Sequence, residues 1–295
     1  MSCRFDSVIV IGCGKIAEDV LQYVNMKRSS YHYEVQFIEH EHRDLSRLKR
    51  LCNETGIKYT QIQGKSEMTK FLMKFRQPAL IISAGNYYIF PKAVVEQNNF
   101  EIINFHNALL PKLPGRNAPT WAIYLNEAFS GSTWHYVTPG IDAGAIIAQK
   151  RTPILEDVKA YELTQKIMTL AFDLFRGFYE TLLMGHIEGT PQLESAVPRK
   201  IYYSHELPNA GMCTAAMPAS EIYRLLRAVD YGKNEIFPPT KLMLPNEKTV
   251  EIQRYKKQLV SACSDGQNIF WDESRECFYF LLDSVYELKV KYKTN

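Results

Sequence analysis

Ser7-Val8-Ile9-Val10-Ile11-Gly12-Cys13-Gly14-Lys15-Ile16-Ala17 stands near the start of the chain and decides its fold class. A β-branched run enters two closely spaced glycines, after which Ala17, Val20, Leu21 and Val24 recur at helical spacing, so the segment reads as strand, tight turn and helix. The alternation continues outward. Val35–Glu39, Ile57–Gln61 and Ala79–Ser83 read as strands, with Leu45–Thr55 and Ser66–Arg76 as the helices between them. Strands alternating with helices imply right-handed crossovers and a parallel sheet covered on both faces, an α/β architecture.

Further along, Pro91–Gln97 suits a helix, and Ile102–Phe105 a strand that stops at the polar pair His106-Asn107. Ala118–Asn126 reads as a helix, Gly131–Val137 and Ala145–Arg151 as strands, and Val158–Gly185 as a long amphipathic helix that closes the domain. His186–Met217 lacks periodicity and carries Gly189, Pro191, Pro198, Pro208 and Gly211, the signature of a connecting segment. A boundary near residue 205 follows, dividing the chain into 1–204 and 205–295. The second part reads as a short helix, Ala219–Val229, then the Pro238-Pro239 break and period-2 runs at Thr249–Tyr255, Asn268–Trp271, Cys277–Leu282 and Tyr286–Tyr292, a small β-rich module.

Composition narrows the function classes. Over 295 residues, 35 Lys+Arg against 32 Asp+Glu give +3, which supplies no basic surface for nucleic acid. Apolar runs such as Ser7–Cys13 fall far short of the roughly 20 residues a membrane span needs. The amino end shows no secretory-signal pattern, so a cytoplasmic location is expected. The six cysteines (Cys3, Cys13, Cys52, Cys213, Cys263, Cys277) form no CxxC pair, and neither a zinc site nor a disulfide frame is expected.

The Gly12–Ala17 turn matches most of a dinucleotide fingerprint and would aim backbone N–H groups at a phosphate, with Glu39 as the acidic residue further on; a tight βα turn that binds no dinucleotide is the competing reading. A stronger pattern is Asn104-Phe105-His106. Side chains at i and i+2 on a strand share a face, so Asn104 and His106 point into one cleft at a strand's carboxyl end, where such sheets gather ligands. Asp142, in the turn Gly140-Ile141-Asp142-Ala143-Gly144, can present a carboxylate to that histidine, setting its tautomer and keeping it charged.

Asn104-Phe105-His106-Asn107-Ala108-Leu109-Leu110-Pro111 resembles the N-x-H-x-S-L-L-P signature of the N10-formyltetrahydrofolate-dependent formyltransferases. Gly131–Tyr136 with Gly140–Ile147 is similar to the same family's G-x-T-x-H and I-D-x-G-x-I segments, and Ser83–Phe90 stands where the family has its folate-binding loop. Asn107-Ala108 departs from the commoner small pair, which alters the cleft lining only. The resemblance covers about residues 80–185. It implies a Rossmann-like formyltransferase domain, N10-formyltetrahydrofolate as co-substrate, Asn104, His106 and Asp142 as the catalytic trio, and Tyr87, Tyr88, Ile89 and Phe90, together with Asp142, as the folate site. Formyl transfer to an amine develops an oxyanion, and a donor aimed at it is worth about 3–4 kcal/mol. Asn104 and a protonated His106 would supply two, while Asp142 takes the amine's proton.

The stretch Leu110–Ile123 and the text Ile222–Gly232 look most like the sugar-nucleotide formyltransferases. That implies the amine of a 4-amino or 3-amino dideoxy sugar on UDP or dTDP, pseudaminic-acid-type precursors among them. Gly12 and Lys15 in the first turn, Arg116 and Asn117 after Pro114-Gly115, and Tyr223 on the short helix are the candidate substrate contacts; capping for Arg116 and Asn117, and a domain-interface role for Tyr223, are the structural alternatives. Methionyl-tRNA, the other acceptor of two-domain relatives, lacks its basic stripe here. A non-catalytic folate- or sugar-binding relative would have no need of Asn104, His106 and Asp142 together. The partners expected are thus a small nucleotide sugar, no nucleic acid, no metal and no membrane, with a homodimer left open.

Overall fold

The computed structural model describes residues 3–40, 45–192, 199–263 and 267–293, with side chains from 47 onward in the second stretch. It divides into two compact units. The first comprises the chain up to Ala118 with 130–152 and 165–202; the second comprises 119–129, 153–164 and the chain from Tyr203. The two inserted segments lie outside the 205–295 that the sequence reading gives to the second unit, and residues 193–198 of the expected connecting segment, Pro198 included, lie outside the described residues.

In the first unit, β1 (Ser7–Gly12), β2 (Glu34–His40), β3 (Lys58–Ile62), β4 (Ala79–Ala84), β5 (Phe100–His106), β6 (Phe129–Tyr136) and β7 (Ile146–Pro153) form one sheet in the order β3-β2-β1-β4-β5-β6-β7. β1 to β5 run parallel, and β6 pairs antiparallel with β5. The central strands are buried almost throughout, as expected of a parallel sheet covered on both faces. The covering helices are α1 (Gly14–Tyr31), α2 (Leu45–Thr55), α3 (Lys65–Leu72), the single turn α4 (Lys92–Val95) and, from residue 165 on, α6 (Ala160–Met184), which follows α5 (Ala118–Tyr124). Strand order reverses between β1 and β4, the switch point where open α/β sheets build their sites. Gly12 serves this junction: a Cβ there would stand 1.8 Å from the Ala84 carbonyl oxygen, so only glycine lets the ends of β1 and β4 close together. Beneath β6, Trp134 is fully buried and donates its Nε1–H to the Ala171 carbonyl of α6 at 2.8 Å.

The second unit holds a six-stranded sheet in the order β11-β12-β13-β10-β9-β8, formed by β8 (Met212–Thr214), β9 (Lys241–Met243), β10 (Thr249–Leu259), β11 (Ile269–Asp272), β12 (Cys277–Leu281) and β13 (Tyr286–Lys293). Ile222, Leu225 and Leu226 of α7 (Ala219–Val229) share one core with Leu242, Val250, Phe278, Leu288 and Val290. β8 and β9 are absent from the sequence reading because three residues are too few to show a period. No helix among the described residues is long and apolar enough to cross a membrane.

Candidate active site

Asn104 and His106 leave β5 on one face, and the antiparallel register of β6 sets His135 opposite Asn104 and Thr133 opposite His106. Asp142 reaches the same place from the turn after β6, with φ +46, a conformation a non-glycine residue adopts at a cost. Its carboxylate meets donors or imidazole nitrogens on both oxygens. Oδ2 accepts from the Gly115 N–H at 2.7 Å and lies 3.4 Å from His106 Nδ1; Oδ1 lies 3.5 Å from both Asn104 Nδ2 and His135 Nε2. Burial works to raise the Asp142 pKa, but the His106 interaction, hydrogen bonding from His135 and the Gly115 amide outweigh it and hold the carboxyl well below the usual range. Asp142 is therefore a fixed anion and a weak base.

His106 is buried, and both its ring nitrogens face acceptors, Nε2 standing 2.8 Å from the Leu113 carbonyl oxygen. Burial dominates and lowers its pKa, while Asp142 and the Leu113 carbonyl oppose that fall. Burial thus works against the expectation that Asp142 keeps the ring charged; the Nε2–H is donated to Leu113 and Nδ1 faces Asp142. Asn104 is locked by Ser83, whose hydroxyl donates to Oδ1 at 2.7 Å. That leaves Nδ2 toward His135 Nε2 at 3.1 Å. His135 Nδ1 donates to the Tyr136 carbonyl at 2.7 Å, and its Nε2 faces both Asn104 Nδ2 and Asp142 Oδ1.

The folate-loop candidates divide by face. Tyr88 and Phe90 enter the core of the first unit, their rings 5.0 Å apart edge to face, and the Tyr88 hydroxyl bonds Thr69 Oγ1 at 2.8 Å. Ile89 is 55 % exposed, and Tyr87 lies beneath the Arg116 guanidinium at 4.0 Å. The loop is set by Asn86, which accepts from the Tyr88 N–H and donates to the Tyr88 carbonyl. Arg116 is fixed through its backbone N–H to the Tyr202 carbonyl at 2.8 Å, and Asn117 adopts φ +56 just before α5. Lys15 pairs with Asp19 one turn along α1, and Gly12 serves the close approach described above. Tyr223 belongs to the second unit, where its hydroxyl donates to Asp157 at 3.0 Å.

Four contributors escape the sequence reading. His135 joins the trio through strand pairing, Ser83 orients Asn104, and Gln192 and Arg199 clamp the Asp142 backbone, each donating to its carbonyl oxygen. Gln192 also binds the Gly144 carbonyl at 2.8 Å, and Arg199 the Ile141 carbonyl at 2.8 Å. The signal available for His135 was its place in the G-x-T-x-H text; Gln192 and Arg199 had none, standing in an aperiodic segment.

Solved structures resemble this fold over most of the chain. An N-formyltransferase from Helicobacter canadensis, in complex with folinic acid and dTDP-3-aminofucose, superposes with a TM-score of 0.70 at 17% identity, covering 98% of this chain and 100% of that one. A sugar N-formyltransferase from a Shewanella species gives 0.65 at 19% identity over 84% and 96%, and a 4-N formyltransferase from Francisella tularensis gives 0.66 at 16% over the same shares. The sequence itself matches the formyl transferase family over residues 6–176, which takes in more than half of the chain and the whole Asn104, His106, His135 and Asp142 cluster. The chain belongs to the formyl transferase family.

Proposed function

We propose that this protein transfers a formyl group from N10-formyltetrahydrofolate to the amine of a 3-amino or 4-amino dideoxy sugar carried on dTDP or UDP. The observation that carries the chemistry is the Asp142 carboxylate, held as an anion 3.4 Å from the buried His106 beside the oriented Asn104 amide. The likeness in fold to the Helicobacter canadensis N-formyltransferase, solved with folinic acid and dTDP-3-aminofucose, supports the substrate class.

N10-formyltetrahydrofolate supplies an electrophilic formyl carbon. Tyr87, Ile89 and the backbone of their loop are the surfaces available to its pteridine, since Tyr88 and Phe90 are committed to the core. As the sugar nitrogen bonds to the formyl carbon it must lose a proton. Asp142 is too weak a base to keep it, whereas burial holds His106 toward its neutral form, in which Nδ1 accepts the proton. The imidazolium so formed is stabilised by Asp142 at Nδ1 and Leu113 at Nε2, and the proton passes on to the departing folate nitrogen. Asn104, whose Nδ2 is aimed by Ser83 and His135, donates to the formyl oxygen as it gains negative charge. Arg116 offers a cation to the diphosphate, with Gly12 and Lys15 at the first turn as further contacts.

The test is a panel of UDP- and dTDP-linked amino sugars, with methionyl-tRNA and glycinamide ribonucleotide as controls, incubated with N10-formyltetrahydrofolate and read by mass for one added formyl group. A nucleotide sugar is expected to react fastest. Faster formylation of methionyl-tRNA than of every sugar would overturn the substrate class.

A further inference from the structure

We propose that the outer face of the second unit's sheet carries an anion site for the diphosphate group of a small ligand. β13 lies between β12 and β10, and its Leu288, Val290 and Tyr292 enter the core, which turns Lys289 and Lys291 to the opposite face. Cations face them across the ladder. Arg254 pairs directly with Lys291 and Lys256 directly with Lys289, whereas Glu251 stands opposite Lys293 further along. Like charges placed directly opposite weaken a ladder, and here two such pairs follow one another on the strand pair that also carries a complementary one. An anion between Arg254 and Lys291 removes the conflict at that pair.

The shape agrees with the charge. Arg254, Arg275, Lys289 and Lys291 line one hollow of about 410 Å³ with Ser274 and Glu276, a size within the range of small-molecule pockets. Glu276 is the carboxylate of that lining among the described residues, and Asp272, which is not part of the lining, pairs with Arg275 at 3.5 Å. Cations remain in excess. Two guanidinium forks can each grip a phosphoryl group through paired N–H bonds, while the lysines add point charges. Lys289 and Lys291 emerge roughly 7 Å apart along the strand, a span that serves two adjacent phosphoryl groups. Because the cations converge on one hollow and form no stripe, a small diphosphate is favoured over a nucleic-acid backbone.

The experiment measures binding of inorganic pyrophosphate, UDP and a short oligothymidylate to the full chain by calorimetry at fixed ionic strength, with thermal denaturation in parallel. Pyrophosphate is expected to bind and to raise Tm, with UDP of similar affinity because the diphosphate is what is read. Arg254→Glu should weaken pyrophosphate binding at least about tenfold, yet raise the Tm of the ligand-free protein, since it turns a like-charge pair into a complementary one. Lys291→Gln, a milder change, should weaken binding in the same direction. In the Arg116→Ala protein, which has lost the diphosphate contact proposed for the substrate site, pyrophosphate should still bind, and that remaining binding should be the part that Arg254→Glu weakens. No pyrophosphate binding at millimolar concentration, loss in Arg116→Ala with retention in Arg254→Glu, or binding of the oligonucleotide alone would each overturn the proposal.

Discussion

Replacing Asp142 by Asn keeps the shape of the side chain and removes its charge. The Gly115 N–H retains an acceptor, so the turn is expected to fold. His106 loses the anion that stabilises its protonated form: at the observed 3.4 Å separation and an effective dielectric near 20, that attraction is about 5 kcal/mol. Each 1.36 kcal/mol is tenfold in rate, so kcat should fall by roughly three to four orders of magnitude. Affinity for folate, which does not depend on the imidazolium, should change little. The assay is steady-state formylation of the best nucleotide sugar alongside fluorescence titration of folate and a thermal melt. An Asp142→Asn protein that folds, binds folate and turns over within tenfold of wild type would refute the claim that the carboxylate works by supporting a charged His106.

Burial lowers the His106 pKa, so kcat should decline as pH falls through a value below the ordinary histidine figure of about 6.5, and stability should fall with it, because the unfolded chain takes up a proton that the folded site resists; a kcat–pH limb centred above that figure would contradict a neutral resting ring. Gly115→Ala places a Cβ 2.2 Å from the Tyr202 carbonyl oxygen at a residue with φ +96; displacing its N–H from Asp142 should cost roughly a hundredfold in kcat, and an unchanged rate would show that the loop amide does not hold the carboxylate. In the second unit, buried Glu287 accepts from Gln258, Ser261 and the amides of Ala262 and Cys263. Burial opposes these bonds, yet they bring its pKa down to about 2. Its stabilisation should be present above the ordinary glutamate value and vanish as pH falls through about 2, and Glu287→Ala should lower stability by on the order of 3 kcal/mol in denaturant unfolding.

Much of the fold was legible because burial leaves its period in the residues. α2 and α7 fall where amphipathic spacing places them, and β1 and β4 where continuous β-branched runs place them. The folate loop was read less well: Tyr88 and Phe90 alternate with Tyr87 and Ile89 between core and exterior, and four apolar residues in a row do not show which pair is turned inward. Likewise the shared face of Asn104 and His106 follows from strand geometry, whereas the entry of His135 depends on β6 running antiparallel to β5 in one register, a tertiary fact that no single strand displays.

The deepest part of the site is built from groups that sequence cannot distinguish at all. The segment between β5 and α5 closes over the His106 and Asp142 side chains through main-chain atoms: the Leu113 carbonyl on His106 and the Gly115 amide on Asp142. Every non-proline residue offers those two groups, so their importance here resides in conformation. Leu113, Gly115 and Asn117 all take positive φ, as does Asp142, and for the non-glycine residues such conformations cost on the order of 1–3 kcal/mol each. They persist because each turn is held from elsewhere, the first by the paired backbone bonds between Tyr202 and the Pro114–Arg116 segment, the second by Gln192 and Arg199. Gln192, Arg199 and Tyr202, from a segment with no period, thus fix the two turns that, on the proposed mechanism, set the direction of a proton and the position of a charge.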